Sequence, residues 1–318
     1  MMDRNAQEAA TYDTRPTPHA PRPTAADLAD NALARWRWLV ERREATIGAI
    51  VEGRRRGGEE GGGDDYWTAR APTFGPSLRA GRPNPVLDLL LPAVDHGTTV
   101  LDVGAGAGRF TIPLARGARE VTAVDPTPAL LALLREDAAA AGLTNLRIVE
   151  STWEDAQVPP ADIVLCANVV TPIADIGPFL RKLDAHALQR CYVVTRATPL
   201  DAPVAPLWQT IHGVPYPREP GHADLYAALD ALGIAAQAFV LPLPGSIWDF
   251  DSPEDAARLV RDRLWLDPAG RDARADALLA EFLATTLARG EDSRYRLPAP
   301  PPRTAVFWWE KGEPSAED

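Results

Sequence analysis

The sequence predicts an α/β protein whose central sheet is parallel and covered by helices on both faces. Three observations carry that reading. From Thr98 onward, short apolar runs alternate with stretches of helical periodicity, the pattern of successive βαβ units. The apolar runs read as buried on both sides, as parallel strands are. The first of them leads directly into a glycine-rich turn, LDVGAGAGRF (101–110).

The elements follow in order. Residues 1–23 are polar and proline-rich, which predicts disorder. A helix is expected from Thr24–Asp27 to about Ile50, with Leu28, Leu33, Trp36, Leu39, Val40 and Ile47 as its apolar stripe. The stretch GRRRGGEEGGGDD (53–65) reads as a flexible linker, and YWTARAPTF after it as a short helical segment. Strands are predicted over 98–104, 120–125, 145–150, 161–168 and 190–196. Between them lie helices over 109–116, from Thr127-Pro128 to Gly142, and over about 175–187. Residues 197–221 read as a long proline-rich connection. A helix over 223–232 and a strand over 234–243 follow. Ser252 and Asp255 have capping-box spacing for the next helix, and Asp267-Pro268 is the expected start of another that closes at Gly290. TAVFWWE (304–310) is the last strand.

Bulk properties exclude several function classes. A chain of 318 residues with 46% hydrophobic content suits a globular protein with an accessory part. No apolar run approaches the roughly 20 residues of a membrane span, and the N-terminus has no secretory h-region. Cytoplasmic residence is therefore expected, with no membrane partner. Two cysteines, Cys166 and Cys191, sit inside apolar runs and read as core; no metal site is expected. A net charge of −11 argues against nucleic acid as a partner. The arginines between Arg35 and Arg56 read as a solvated helix face and its flexible exit. Lys182 and Lys311 are the only lysines, a bias from which no function follows.

The glycines of 101–110 pose the functional question. A phosphate-binding P-loop needs lysine followed by Ser or Thr where Arg109-Phe110 stands. A dinucleotide fingerprint needs a glycine at the sixth position counted from Gly104, which is Arg109. The actual pattern is Gly-x-Gly-x-Gly, with Asp102 two residues ahead. A carboxylate there disfavours an anionic pyrophosphate and favours a ligand with positive charge beside a nucleoside.

LDVGAGAGRF resembles the first motif of the class I S-adenosylmethionine-dependent methyltransferases. The resemblance covers about residues 66–243 and the final strand. It implies a Rossmann-like, mostly parallel seven-stranded sheet whose last strand inserts antiparallel between the fifth and sixth. N-terminal helices and a helical insert before the last strand would complete the fold. It implies S-adenosyl-L-methionine as cofactor. Asp102 would orient the methionine end, and Gly104, Ala105, Gly106 and Gly108 would form the loop beneath it. Asp125 would accept both ribose hydroxyls, Pro126 would lie against the adenine face, and Trp153 or Glu154 in STWED (151–155) would border its edge. Asn168 would sit beneath the transferring methyl. Arg70, with Trp67 in YWTARA, would pair with the cofactor's carboxylate.

The expected activity is in-line methyl transfer to a small-molecule acceptor, with oxygen favoured over nitrogen or carbon. CANVVTP after the fourth strand lacks the Asn/Asp-Pro-Pro-aromatic signature of amino-group methylation. No Pro-Cys dipeptide or catechol-type acidic pair is present. His212 is the candidate general base, with Tyr216, Glu219 and His222 behind it. A non-catalytic cofactor-binding scaffold and a nicotinamide-dependent oxidoreductase are the alternatives. The expected division is a disordered N-terminus (1–23), N-terminal helix and linker (24–65), core (66–250), helical insert or lid (251–298), last core strand (299–311) and disordered tail (312–318). Oligomeric state is left open; Trp308 and Trp309 suit core or interface.

Overall fold

The structure is a computed structural model that describes residues 31–56, 83–267 and 270–311. The expectations for 1–30, the linker beyond Arg56, YWTARAPTF with Trp67 and Arg70, Pro268 and the tail from Gly312 lie outside the described residues. The elements are α1 (Ala32–Arg56), α2 (Pro85–Leu90), β1 (Thr99–Val103), α3 (Thr111–Ala115), β2 (Glu120–Asp125), α4 (Pro128–Ala140) and β3 (Leu146–Glu150). They continue with β4 (Ala161–Ala167), α5 (Ile176–His186), β5 (Ala187–Arg196), α6 (Ala205–His212), α7 (His222–Ala231) and β6 (Gln237–Pro242). Last come β7 (Asp249–Phe250), α8 (Pro253–Arg263), α9 (Ala273–Thr286), β8 (Ala288–Arg289), β9 (Tyr295–Arg296) and β10 (Arg303–Glu310).

Seven strands form one sheet in the order β3-β2-β1-β4-β5-β10-β6. β10 runs antiparallel to both β5 and β6, and the remaining contacts in the sheet are parallel. The chain leaves β1 toward β2 and β3, then returns to place β4 on the other side of β1. The switch point thus lies between β1 and β4, where open α/β sheets form their ligand crevice beyond the carboxyl ends.

The central strands β1, β2, β4, β5 and β10 are largely buried on both faces because they carry apolar side chains on both sides, whereas the edge strand β6 is mostly exposed. On one face α1, α5 and α7 bring Trp36, Leu180 and Leu225 against Val164, Val193 and Phe307. On the other, α2 and α3 bring Val86, Leu90, Phe110 and Leu114 against Val100, Leu165 and Val306. Trp309 belongs to the first core and donates its Nε1 to Asp184 Oδ1 at 2.7 Å. Both cysteines are buried and free. No described helix is long and apolar enough to cross a membrane, and no described cluster of His, Cys, Asp and Glu could hold a metal ion.

Four expectations need correction. α1 continues through Arg56, into the stretch read as linker, as arginine is a good helix former. The arginines of α1 are more than a solvated face. Arg35 pairs with Asp224 (3.1 Å) and Arg37 with Asp175 (2.7 Å), while Arg43 donates to the Pro217 carbonyl (2.7 Å). The connection 197–221 contains α6, whose Pro206 lies in the first turn, where a missing N–H costs nothing, and whose end is Gly213 at φ 70°. The last long helix is capped by Asp272, which accepts from Arg274 N and Ala275 N, and ends at Thr286. Asp267 instead receives the backbone N–H and side chain of Arg271. Ser252 caps α8 as expected, accepting from Asp255 N at 3.1 Å.

A second sheet, β7-β9-β8, was not legible because two-residue strands carry no periodicity. It packs with α6, α8 and α9 around Trp208, Trp248, Phe250, Val260 and Leu279, and Ile47 and Ile50 of α1 join this cluster. Pro242 and Arg303 are opposite one another, and Thr304 faces Arg196. Segments 197–221 and 243–302 therefore both spring from the carboxyl edge of the sheet, the edge that carries the crevice.

Candidate active site

The glycine turn hangs from the neighbouring strand. The N–H groups of Gly104 and Ala105 both donate to the Val124 carbonyl, at 2.7 and 3.1 Å. Gly106 N–H reaches Asp125 Oδ2 at 2.8 Å, and Gly108 N–H closes the turn on the Ala105 carbonyl at 3.0 Å. Gly104 and Gly106 have φ of 74° and 53°, which a side chain would disfavour. Gly104 is also in close contact across the switch point: a Cβ there would lie 2.1 Å from Val169 Cγ2. At Gly106 the nearest atom to such a Cβ is Leu130 Cδ1 at 3.8 Å, an ordinary contact without a clash.

Asp125 is buried at the end of β2, and its Oδ1 accepts Thr127 N–H at 2.8 Å. Thr127 stands at the N-cap of α4 but makes no side-chain cap bond; Asp125 serves this turn instead. Each carboxylate oxygen holds one backbone donor and has two lone pairs, so each retains one acceptor position. Two vicinal hydroxyls match that pair. Pro126 follows as an exposed ring beside the buried carboxylate.

Asp102, at 1% exposure, accepts the Thr111 hydroxyl at 2.6 Å. Burial pushes its carboxyl up to about 7; the Thr111 bond opposes the rise and the negative charge of Asp125 adds to it. A cation brought to this edge would return the proton to solvent.

Asn168 ends β4 in the left-handed region, φ 60°, with its N–H on the Val194 carbonyl at 2.8 Å. Asparagine tolerates this conformation better than most residues, and such backbone is concentrated at functional sites. Its side chain is exposed at the crevice.

Trp153 is turned inward. It is 4% exposed, donates Nε1 to the Phe179 carbonyl at 3.3 Å and meets the His186 ring edge-on at 5.0 Å. Its indole is thus a core anchor for the turn after β3, whose exposed residues are Thr152, Glu154 and Asp155. His212 ends α6. Its Nε2 lies 2.7 Å from the Leu264 carbonyl and its ring 4.4 Å from that of Trp208, so it ties α6 to α8. Tyr216 donates to Asp201 Oδ2 at 2.5 Å, and burial with that carboxylate lifts its hydroxyl pKa. Arg70 lies outside the described residues.

Two contributors escaped the motifs. Val169 fills the space above Gly104, and Trp36 of α1 donates Nε1 to the Ile173 carbonyl at 2.7 Å, holding the loop after Asn168. The apolar stripe of α1 placed Trp36 in the core, but no spacing indicated its partner.

A parallel sheet with one antiparallel insertion, a glycine turn at the switch point and a carboxylate at the end of β2 define a nucleoside-binding class of α/β protein. Residues 100–188 match the family model described as a methyltransferase domain. That match agrees with the resemblance of this region to the class I S-adenosylmethionine-dependent methyltransferases. Among relatives, a ubiquinone biosynthesis O-methyltransferase of Methylocella silvestris is 29% identical over 139 residues, 37% of this chain and 53% of that one. A 23S rRNA (uracil(1939)-C(5))-methyltransferase of Alkalilimnicola ehrlichii is 51% identical over 61 residues, 19% of this chain and 13% of that one. Among solved structures, YcgJ of Bacillus subtilis has 20% identity and a TM-score of 0.49, covering 72% of this chain and 98% of that one. The chain spans about half the length of the first curated relatives it matches.

Proposed function

We propose that this protein transfers a methyl group from S-adenosylmethionine to a small-molecule acceptor held under the 197–221 and 243–302 segments. The observation that carries the reading is the clip between Gly106 N–H and Asp125 Oδ2, which leaves an uncrowded glycine and two free acceptor positions side by side. Asp125 would take the ribose hydroxyls, Pro126 the adenine face, Gly104 to Gly108 the underside of the methionine portion, and Asp102 its ammonium. Glu154 or the backbone of its turn would meet the adenine edge, and Asn168 would border the reacting methyl.

The cofactor supplies a methyl already activated on a sulfonium. The chain then has to align an acceptor and exclude water, and alignment of this kind is worth roughly 7–11 kcal/mol. The segments rising from the carboxyl edge supply the cover. A net charge of −11 weighs against an RNA acceptor, and the identity to an rRNA enzyme spans only 61 residues. The O-methyltransferase relative supports an oxygen acceptor.

A scaffold that binds the cofactor without turnover is the second reading, favoured by the engagement of His212 with Leu264. Titration calorimetry with S-adenosylhomocysteine tests the cofactor step: micromolar binding is expected, lost in Asp125→Ala. Transfer of labelled methyl from S-adenosylmethionine into a lysate's small-molecule fraction separates enzyme from scaffold. Binding without any labelled product dependent on Asp125 would support the scaffold.

A further inference from the structure

We propose that Lys182 is a positioning residue for base recognition, its ammonium fixing the turn 152–156 against which the adenine edge is read. The proposal rests on the cofactor reading above and extends it to a residue that no motif contains.

The geometry is specific. Lys182 Nζ donates to the carbonyls of Trp153 (2.7 Å), Glu154 (2.9 Å) and Ala156 (2.9 Å). An ammonium has three N–H groups, and all three are used. The same nitrogen stands 4.7 Å above the centre of the Trp153 ring, on its electron-rich face. Phe179, Lys182 and His186 recur at helical spacing on α5, and all three contact Trp153: a carbonyl on its Nε1, a cation on its face and a ring at its edge. His186 Nδ1 also lies 2.8 Å from the Lys182 carbonyl, tying the group to its own helix.

The turn is closed from within by Thr152, whose carbonyl accepts Ala156 N–H (3.0 Å) and whose hydroxyl accepts Asp155 N–H (3.3 Å). In a trans peptide the N–H of one residue points opposite to the carbonyl before it. Three carbonyls drawn to one ammonium therefore turn the N–H groups of Glu154, Asp155 and Gln157 away from α5. The Asp155 group is taken by Thr152. The Glu154 group and side chain are left on the outer side of a turn that begins two residues after β3, at the crevice edge. There a donor or a carboxylate distinguishes the ring nitrogens and exocyclic amine of adenine from the carbonyl of hypoxanthine.

The residue type fits the task. Lysine and arginine total 33 in this chain and only two are lysine. A guanidinium spreads its donors in a planar fork, whereas an ammonium can point three from one atom at three converging carbonyls. This position demands the second geometry in a chain that uses the first almost everywhere.

The test compares the affinity of the full chain for S-adenosylhomocysteine and for its inosine counterpart, in wild type, Lys182→Met and Lys182→Arg, with thermal melting alongside. Wild type should prefer the adenine compound by about tenfold or more, the worth of one good hydrogen-bond pair. Both variants should lose about tenfold on the adenine compound and change by less than about twofold on the inosine compound, so the ratio collapses. A role confined to stability would lower the melting temperature and leave the ratio intact, and that result in a folded variant overturns the proposal. Should Lys182→Met not fold, Lys182→Arg decides on the same criterion; a wild-type ratio in Lys182→Arg overturns the proposal. Wild type that binds both compounds equally also overturns it. Wild type that binds neither refutes the cofactor reading, and the proposal with it.

Discussion

Gly104 and Gly106 are two residues apart in one turn, yet an added methyl should damage them in different ways. Both have positive φ, so alanine at either costs about 1–2 kcal/mol of backbone strain. At Gly104 the new Cβ would lie 2.1 Å from Val169 Cγ2 and 3.2 Å from Val169 Cβ. Valine is stiff about χ1, so the clash moves backbone rather than a free side-chain end, adding about 1–3 kcal/mol. Gly104→Ala should therefore lose about 2–5 kcal/mol of stability. Gly106→Ala meets nothing closer than 3.8 Å and should lose only the strain. Its methyl would instead enter the space assigned to the cofactor, weakening S-adenosylhomocysteine by about tenfold or more.

Urea unfolding followed by circular dichroism measures the first quantity and calorimetry the second. The clash has its own control in Val169→Ala, which removes the obstructing methyls. In a double-mutant cycle, Gly104→Ala with Val169→Ala should recover about 1–3 kcal/mol relative to the sum of the single changes. The reasoning is refuted if Gly104→Ala is as stable as Gly106→Ala, if the cycle shows no coupling, or if Gly106→Ala binds with wild-type affinity.

Asp102 makes the protein's pH response predictable in sign. Its folded carboxyl is raised from 3.8 to about 7, so between those values the folded chain holds a proton that the unfolded chain has lost. Its contribution to stability is full below about pH 4 and lost as pH rises through about 7, with a slope of up to about 1.4 kcal/mol per unit; Asp102→Asn should flatten that slope in urea titrations. A cofactor ammonium favours the ionised form, so S-adenosylhomocysteine affinity should rise with pH until about 7 and then level off, and calorimetry on Asp102→Asn should show no such rise. Trp36→Phe keeps most of the ring in its buried site but leaves the Ile173 carbonyl without its donor. A loss of about 1–3 kcal/mol in the same unfolding assay is expected, and stability within error of wild type would mean that α1 does not hold the loop after Asn168.

What the sequence disclosed, and what it withheld, divides along one physical line. The positions of Gly104, Gly106, Asp125 and Asn168 at the carboxyl ends of β1, β2 and β4 were legible because they depend on the backbone alone. Strand boundaries and glycine spacing place all of these. The antiparallel β10 was legible only through resemblance, since TAVFWWE alone does not state its direction. Trp153 shows the limit of positional reasoning. It stands in the expected turn, but its indole is turned into the core, because α5 offers a carbonyl, a cation and a ring on one face. No spacing within 151–155 reveals those partners, which lie 26 to 33 positions onward.

The segments 197–221 and 243–302 were legible only in part, for a related reason. α6 was concealed by prolines that a first helical turn accepts, and the sheet β7-β9-β8 by its brevity. Arg43 shows how far such contacts reach. It donates to the Pro217 carbonyl and lies 3.5 Å from Asp201 Oδ2, while Trp36, two turns earlier on the same helix, holds Ile173. One helix thus bridges the loop after β4 and the connection after β5, the two segments between which an acceptor would have to approach Asn168. The N-terminal helix is therefore part of the crevice's construction. Its amphipathic stripe reported that it is buried; only the partners of its tryptophan and arginines report what it positions.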